Sequence, residues 1–250
     1  MQQFFLPEPL ALGQQVVFPI EMESQLRRVL RVRGGEVVRI VDGQGIPFLA
    51  RLTVNKKNVG AQCVERLQEK RELSTPLILA AARIKKEKWE WMLQKATELG
   101  VTAILPLITE RVNEAEPTPT RLVRWKRILQ EAAEQCERHC IPTLQEPLSL
   151  PALLSSLREK NDRQAIVLAE RHEEKAPPLS DVLKRMAPEK AVVLLVGPEG
   201  GFSPAEFSQM AEAGLFFAGL GPRILRAETA AIVSVGMAAQ WLEAKEGLRF

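Results

Sequence analysis

A strand without polar residues runs directly into a glycine-rich loop near the end of this 250-residue chain, and this combination constrains the fold most. The residues of Ala191–Val196 are all apolar, as is typical of a strand buried on both faces of a parallel sheet. The loop Gly197-Pro198-Glu199-Gly200-Gly201-Phe202 follows at once. Ligands of open α/β sheets bind beyond the carboxyl ends of the strands, and glycines let the backbone approach a ligand closely. We therefore expect a ligand site here, with a tight turn that binds nothing as the alternative.

The loop lacks the spacings that hold phosphates. It matches neither G-x-G-x-x-G nor G-x-x-x-x-G-K-[ST], and no lysine follows it. Ser203, Pro204 and Glu206 instead begin a helix with a capping box and a proline in its first turn. A cofactor held mainly by backbone groups is therefore favoured over a triphosphate.

A second unusual loop, Leu220–Ala230, follows the next predicted strand, Leu215–Gly219. It leads into a helix predicted over Glu228–Ala244, which is apolar or small on nearly all sides. More than one face of such a helix must be covered. A subunit interface and a central place within one domain both satisfy this requirement.

Two domains are predicted, at residues 1–72 and 73–250. The first is rich in short strands and has one helix, expected over Ser24–Val32. Asp42-Gly43-Gln44-Gly45 favours a tight hairpin between two of the strands. The polar stretch Gln68–Thr75 with Pro76 marks the boundary. The predicted strands are Gln15–Phe18, Glu36–Val41, Ile46–Val54 and Val59–Leu67.

After Pro76, strands alternate with helices, which predicts a parallel α/β sheet. The further strands are Leu77–Ala82, Ala103–Leu107 and Ala165–Ala169. Apolar residues at helical spacing predict two amphipathic helices, and Gly100 is expected to cap the end of the first. The tryptophans and the methionine of these helices are predicted to lie in the core. Their apolar faces are Trp89, Met92, Ala96 and Leu99, and then Leu122, Trp125, Leu129, Ala132 and Cys136.

Charge is balanced overall but not along the chain. Between Gln25 and Lys57 there are eight basic and two acidic residues, a local surplus of six positive charges. Such a cluster suits contacts with nucleic-acid phosphates, and a solvated charged surface is the alternative.

Compartment and metal content follow from what the sequence lacks. The start shows no signal-peptide pattern, and no apolar run approaches the roughly 18 residues of a membrane span. Three cysteines at irregular spacing fit a reducing compartment. Cys136, His139 and Cys140 lack a second ligand cluster, and His172 is isolated. We expect a soluble, cytoplasmic protein without metal and without a membrane partner.

Several blocks in the right order resemble one known family across essentially the whole chain. The loops Val196–Ser203 and Leu220–Ala230 resemble the signature loops of the RsmE family, the 16S ribosomal RNA uracil-N3 methyltransferases of the SPOUT superfamily. Further similar blocks are Lys95–Val101, Glu131–Arg138, Val29–Arg31 and Asp42-Gly43.

The resemblance implies both fold and function. A small PUA-like β-barrel that binds RNA would precede a trefoil-knotted SPOUT methyltransferase domain. The protein would work as a homodimer that uses S-adenosylmethionine to methylate N3 of a specific uridine in 16S rRNA within the small ribosomal subunit. The rival hypotheses are a non-catalytic RNA-binding or ribosome-assembly factor and a SPOUT methyltransferase for another RNA base. The intact loop glycines and the run Arg226–Thr229 favour the enzyme.

The resemblance also implies site residues. Arg226 would stabilise charge on the uracil oxygens or grip a phosphate, and Glu228 would take the N3 proton or orient Arg226. A favourable acid in a first helical turn is the alternative explanation of Glu228. RNA contacts are expected from Arg27, Arg28, Arg31, Arg33 and Arg51. Cofactor contacts, mainly through the main chain, are expected from Leu168, Glu170, Val196, Gly197, Pro198, Glu199, Gly200, Gly201, Leu220, Gly221, Ile224, Leu225, Arg226 and Thr229.

Overall fold

The computed structural model divides the chain into two compact units, and it describes residues 1–112, 117–159, 162–169 and 176–247. The first unit consists of Met1–Arg71 with Glu134–Cys140. The second consists of Glu72–Ala133 with Ile141–Phe250.

The first unit is built on a five-stranded sheet in the order β1-β3-β4-β5-β2. Strands β1 and β3 pair in parallel, and the other neighbours are antiparallel. Four strands were predicted to within a residue or so at each end, and β1 was missed. The strands are β1 Gln3–Phe5, β2 Gln15–Val17, β3 Val37–Val41, β4 Pro47–Val54 and β5 Val59–Arg66.

The helix predicted over Ser24–Val32 was wrong at both ends. Helix α1 spans Ile20–Ser24 and continues as a π-helical segment, Gln25–Val29. It starts early because the Pro19 carbonyl accepts the first amide hydrogen bonds. It stops early because Arg31 has a φ of +50°, in the left-handed region that ends a helix.

The predicted hairpin between β3 and β4 is confirmed. The Asp42 carboxylate accepts hydrogen bonds from the backbone N–H groups of Gln44 (2.9 Å), Ile46 (2.8 Å) and Leu10 (3.1 Å). The two acceptor oxygens therefore fix the turn and tie it to the preceding segment.

The second unit contains a seven-stranded parallel sheet, as the alternating pattern predicts. Its order is β12-β10-β11-β6-β7-β8, and β9 also pairs with β7. Strands β6 and β11 have the predicted limits, whereas the two-residue strands β8 and β9 were missed. The strands are β6 Leu77–Ala82, β7 Ala103–Ile108, β8 Thr143–Leu144, β9 Leu148–Ser149, β10 Arg163–Leu168, β11 Ala191–Val196 and β12 Phe216–Ala218.

Helices cover both faces of this sheet, so its strands are apolar on both sides. Alternate residues of β11 enter different cores: Val192 and Leu194 pack with Trp89 and Trp125, whereas Leu195 packs on the opposite face. The predicted core positions of both tryptophans are confirmed. The helices are α2 Lys86–Glu98, α3 Pro119–Gln135, α4 Leu150–Glu159, α5 Leu179–Leu183, α6 Pro204–Glu212 and α7 Ala227–Glu246.

Several helix ends agree with the sequence signals. Gly100, just beyond α2, has a φ of +90°, and Ser203 and Glu206 form the predicted capping box of α6. Cys136, expected on the apolar face of α3, lies one residue beyond its end. In the part of the chain that the structure describes, no helix is long and apolar enough to cross a membrane.

Candidate active site

A cavity of about 860 Å³ opens where the two unusual loops meet at the carboxyl edge of the parallel sheet. One wall is the loop Gly197–Phe202 after β11, and another is Ile224–Arg226 before α7. Leu168, at the end of the neighbouring strand β10, adds an apolar surface. The volume is within the range of small-molecule and cofactor sites.

The glycine-rich loop owes its shape to a tight turn. The Gly201 N–H donates to the Pro198 carbonyl at 2.8 Å, and Gly201 has a φ of +68°. The buried ring of Phe202 packs edge-on against Phe207 of α6, with centroids 5.8 Å apart. A Cβ on Gly197 would lie only 3.2 Å from that ring. The loop therefore leaves its main chain, rather than side chains, along much of the cavity wall.

The segment that follows β7 braces this loop. The Arg111 guanidinium donates to the carbonyl of Gly200 at 2.8 Å and to that of Phe202 at 3.4 Å. The Glu206 carboxylate accepts from the backbone N–H of Glu110 at 2.8 Å and from that of Ser203 at 2.8 Å. The loops that follow β7 and β11 are thus held together by charge-assisted hydrogen bonds.

One lysine connects three elements at the cavity. Lys88, in the first turns of α2, lines the cavity and places its ammonium 3.4 Å from Glu228 of α7 and 3.9 Å from Glu199 of the loop. Glu228 is 7% exposed. Its Oε2 has no hydrogen-bond partner among the described residues. Leaving a buried carboxylate oxygen without a partner is costly.

Arg226 is exposed and lines the cavity at the start of α7. It is the N-cap residue of this helix, with no capping hydrogen bond from its side chain. Ala227 and Ala230, in the first turn of α7, also line the cavity. Because a helix N-terminus carries partial positive charge, this side of the cavity favours groups that gain negative charge.

Most of the predicted cofactor-binding residues lie together at the cavity. Three of them, Leu220, Gly221 and Thr229, do not line it, and neither does the predicted catalytic residue Glu228. Leu220 and Gly221 belong to the second loop, Thr229 lies in the first turn of α7, and Glu170 falls outside the described residues. The predicted residues that line the cavity are Leu168, Val196, Gly197, Pro198, Glu199, Gly200, Gly201, Ile224, Leu225 and Arg226.

Sequence reasoning missed several lining residues. Lys88 and Arg111 follow β6 and β7, so their place beyond the carboxyl ends of parallel strands was the available signal. Phe202 of the first loop and Ala227 and Ala230 of α7 were also not assigned as contacts. The remaining side chains come from α6, whose cap was recognised but whose outer face was not assigned to a site. They are Pro204, Phe207, Ser208 and Ala211.

The basic residues predicted to bind RNA lie in the first unit. Arg28, Arg31 and Arg33 are exposed. Arg27 is partly buried and donates to the Asn55 carbonyl at 2.6 Å, and the exposed Arg51 donates to the Gly35 carbonyl at 3.2 Å. These two side chains are thus partly engaged within the unit. In the described ranges there is no group of three or more His, Cys, Asp or Glu residues that could hold a metal ion, and His172 lies outside these ranges.

Comparison with known proteins identifies the class. Residues 71–239 match the family model described as an RNA methyltransferase domain, so the parallel sheet and its cavity belong to that class. The ribosomal RNA small subunit methyltransferase E of Synechocystis sp. is 35% identical, over 87% of this chain and 70% of the relative. The Bacillus subtilis protein of the same name is 29% identical, over 83% and 82%. The chain belongs to this family of ribosomal RNA small subunit methyltransferases E.

A solved structure agrees with this assignment. The family member from Neisseria gonorrhoeae, crystallised with S-adenosylmethionine, is 33% identical. It matches with a TM-score of 0.84 over 94% of this chain and 95% of its own. The similarity therefore extends over both units of the chain.

Proposed function

We propose that this protein transfers a methyl group from S-adenosylmethionine to N3 of a specific uridine in 16S rRNA of the small ribosomal subunit. The observation that carries the proposal is the cavity at the carboxyl edge of the sheet, bounded by the two loops and lined by Arg226 and by Lys88, which pairs with the buried Glu228. Membership of the family supports both the reaction and the kind of RNA.

The cavity residues fit the proposed cofactor. Leu168, Val196, Leu225 and Ala230 offer apolar surface for a nucleoside, and the main chain of Gly197–Gly201 offers hydrogen-bonding groups. Two carboxylates, Glu199 and Glu228, lie near one ammonium group, that of Lys88. The excess of one negative charge suits a cationic ligand. When bound, S-adenosylmethionine supplies an electrophilic methyl group on its sulfonium. Three further residues that do not line the cavity remain predicted cofactor contacts: Leu220, Gly221 and Thr229.

Glu228 and Arg226 divide the work on the uracil ring in this proposal. N3 must lose its proton, and the free Oε2 of Glu228 is the acceptor. Negative charge then spreads onto the uracil oxygens, where the exposed Arg226 guanidinium and the N-terminus of α7 stabilise it. Lys88 keeps the buried Glu228 carboxylate paired before the substrate arrives.

The first unit would hold the RNA. N3 lies on the pairing edge of uracil, so the uridine must be unpaired or flipped out to react. The exposed Arg28, Arg31 and Arg33 would contact flanking phosphates together with Arg27 and Arg51. The mainly antiparallel five-stranded sheet of this unit is consistent with a PUA-like β-barrel.

The second unit would form a SPOUT trefoil knot and pair with a second copy in the cytoplasm. Helix α7 is small or apolar along most of its length, and Val233 on it is 38% exposed. The small and apolar residues of this helix would form the contact with the second copy.

Transfer of label decides between the enzyme and a non-catalytic RNA-binding factor. The protein is incubated with methyl-labelled S-adenosylmethionine and unmodified small ribosomal subunits, with naked 16S rRNA as a separate substrate. We expect label in the RNA of at least one sample. Tight RNA binding without any transfer would favour the assembly factor, and label on a base other than uracil would favour a different SPOUT activity.

A further inference from the structure

A second basic surface lies in the methyltransferase unit itself, on α2 and α3. The first twelve residues of α3, 119–130, contain four basic residues and no acidic one: Arg121, Arg124, Lys126 and Arg127. Lys86 stands at the start of α2. We call these five side chains the α2–α3 basic patch.

Packing holds the patch together as a rigid surface. The ring centroids of the buried Trp89 on α2 and Trp125 on α3 are 5.4 Å apart, and the buried Leu129 lies on the same face of α3 as Trp125. The basic side chains of α3 point away from these rings: Arg124 is 58% exposed, Arg127 is 78% exposed, Lys126 is exposed and Arg121 is partly buried. Their charges therefore face solvent rather than the core.

The acidic residues nearby offset only part of this charge. Glu90 accepts two hydrogen bonds from Arg124, at 2.7 and 2.8 Å, and Arg127 pairs with Glu131 at 2.7 Å. The pKa of Glu90 is lowered, first by the hydrogen bond from Arg124 and also by the charges of Lys86 and Arg121. Three cations thus surround one carboxylate.

The patch and the active-site cavity share helix α2. Lys86 is the first residue of this helix, and Lys88, in the same turn but on a different side, lines the cavity. Exposed arginines and lysines with surplus positive charge beside a nucleic-acid site suit phosphate groups.

We propose that the α2–α3 basic patch binds the RNA backbone next to the target uridine. This inference rests on the proposed function, because it assumes an RNA substrate in the cavity. Phosphate contacts here would fix the position of the uridine, and the base would be read inside the cavity.

Charge reversal tests the proposal on the full-length protein. The variant Arg121→Glu/Lys126→Glu is compared with the control Arg158→Glu/Arg185→Glu, which reverses two exposed residues elsewhere in the same unit. Arg158 lies on α4, which packs on the opposite face of the sheet. Affinity for unmodified small ribosomal subunits and for their naked 16S rRNA is measured over a range of salt concentrations.

We expect the patch variant to bind RNA about tenfold more weakly than the control, with a salt slope smaller by about 1.4 to 1.8 because two phosphate contacts are lost. Arg121→Lys/Lys126→Arg keeps both charges and should restore binding. Affinity for S-adenosylmethionine should not change.

Three outcomes would overturn the inference. If the patch variant binds RNA as the control does while the wild type binds and methylates, the patch fails and the proposed function stands. If its oligomeric state changes while its RNA affinity does not, the patch is a subunit interface. If the wild type neither binds nor methylates RNA, both proposals fail together.

Discussion

The left-handed turn at Gly201 gives a quantitative test of whether the loop conformation serves cofactor binding. Gly201 has a φ of +68°, and no heavy atom lies within 4 Å of an added Cβ, so Gly201→Ala introduces backbone strain without a clash. A non-glycine residue in this region costs roughly 1 to 2 kcal/mol. In the free protein the loop can change conformation and relieve that strain, whereas a bound cofactor would hold the loop in the strained left-handed conformation. We therefore expect affinity for S-adenosylmethionine to fall by up to about 5-fold to 30-fold.

Gly214→Ala is the matched control. Gly214 has a φ of +75°, and no heavy atom lies within 4 Å of its Cβ position. It follows α6 and does not line the cavity. This substitution should lower Tm by about 2 to 4 °C for each kcal/mol of strain and leave cofactor affinity unchanged. Both variants are measured by titration calorimetry and thermal unfolding. Wild-type affinity in Gly201→Ala, together with a lowered Tm, would refute a role for this turn in binding.

Further predictions concern catalysis, RNA binding and pH. Arg226→Ala should abolish methyl transfer in a single-turnover assay while cofactor affinity stays within a few-fold, and near-normal transfer would remove Arg226 from the mechanism. Glu228→Gln should slow transfer by roughly 10²-fold to 10⁴-fold at saturating substrate, and an unchanged rate would assign the N3 proton to another acceptor. Reversing Arg31 and Arg33 to Glu should weaken RNA binding and reduce its salt dependence, whereas unchanged binding would make them ordinary surface residues. Hydrogen bonds from Arg39 lower the pKa of Glu69 from 4.5 to about 2, so its stabilisation of the first unit is present above pH 4.5 and is lost as pH falls toward 2. Glu69→Gln should flatten this part of the Tm–pH profile, and a parallel profile would contradict the assignment.

The central strands could be predicted to the residue because their environment is uniform. Every residue of β6 and β11 is apolar and buried, so burial on both faces leaves an uninterrupted run in the sequence. Strand β1 has three residues, too few to show a period, and it is fixed by pairing with β3, 36 residues further along the chain. Its existence depends on tertiary contacts.

The first helix shows where local signals compete. The sequence predicted a helix up to Val32, but Arg31 adopts a left-handed conformation and the Val32 N–H donates to the Leu26 carbonyl. The segment Glu134–Cys140, which includes the last two residues of α3, groups with the first unit although the rest of α3 belongs to the second. There, Arg138 offers its carbonyl to the Gln3 side chain at 2.6 Å. No composition pattern along the chain reveals such a long-range contact.

The site was predictable as far as its loops carry motifs. Each of the two loops has a recognisable sequence motif, and the structure places residues of both, Val196–Gly201 and Ile224–Arg226, along one cavity. Lys88 and Arg111 belong to no motif, and they reach the cavity because β6 and β7 end at the same edge of the sheet. The contact between Lys88 and Glu228 joins residues 140 positions apart and depends on the packing of α2 against α7.

The identity of the methylated atom tests the central claim most directly. Unmodified small ribosomal subunits are treated with the protein and S-adenosylmethionine, and the RNA is digested and analysed by nucleoside mass spectrometry. The account predicts 3-methyluridine, at no more than one per subunit, and none with Arg226→Ala. A methyl group on ribose, on another uracil atom or on another base would contradict it.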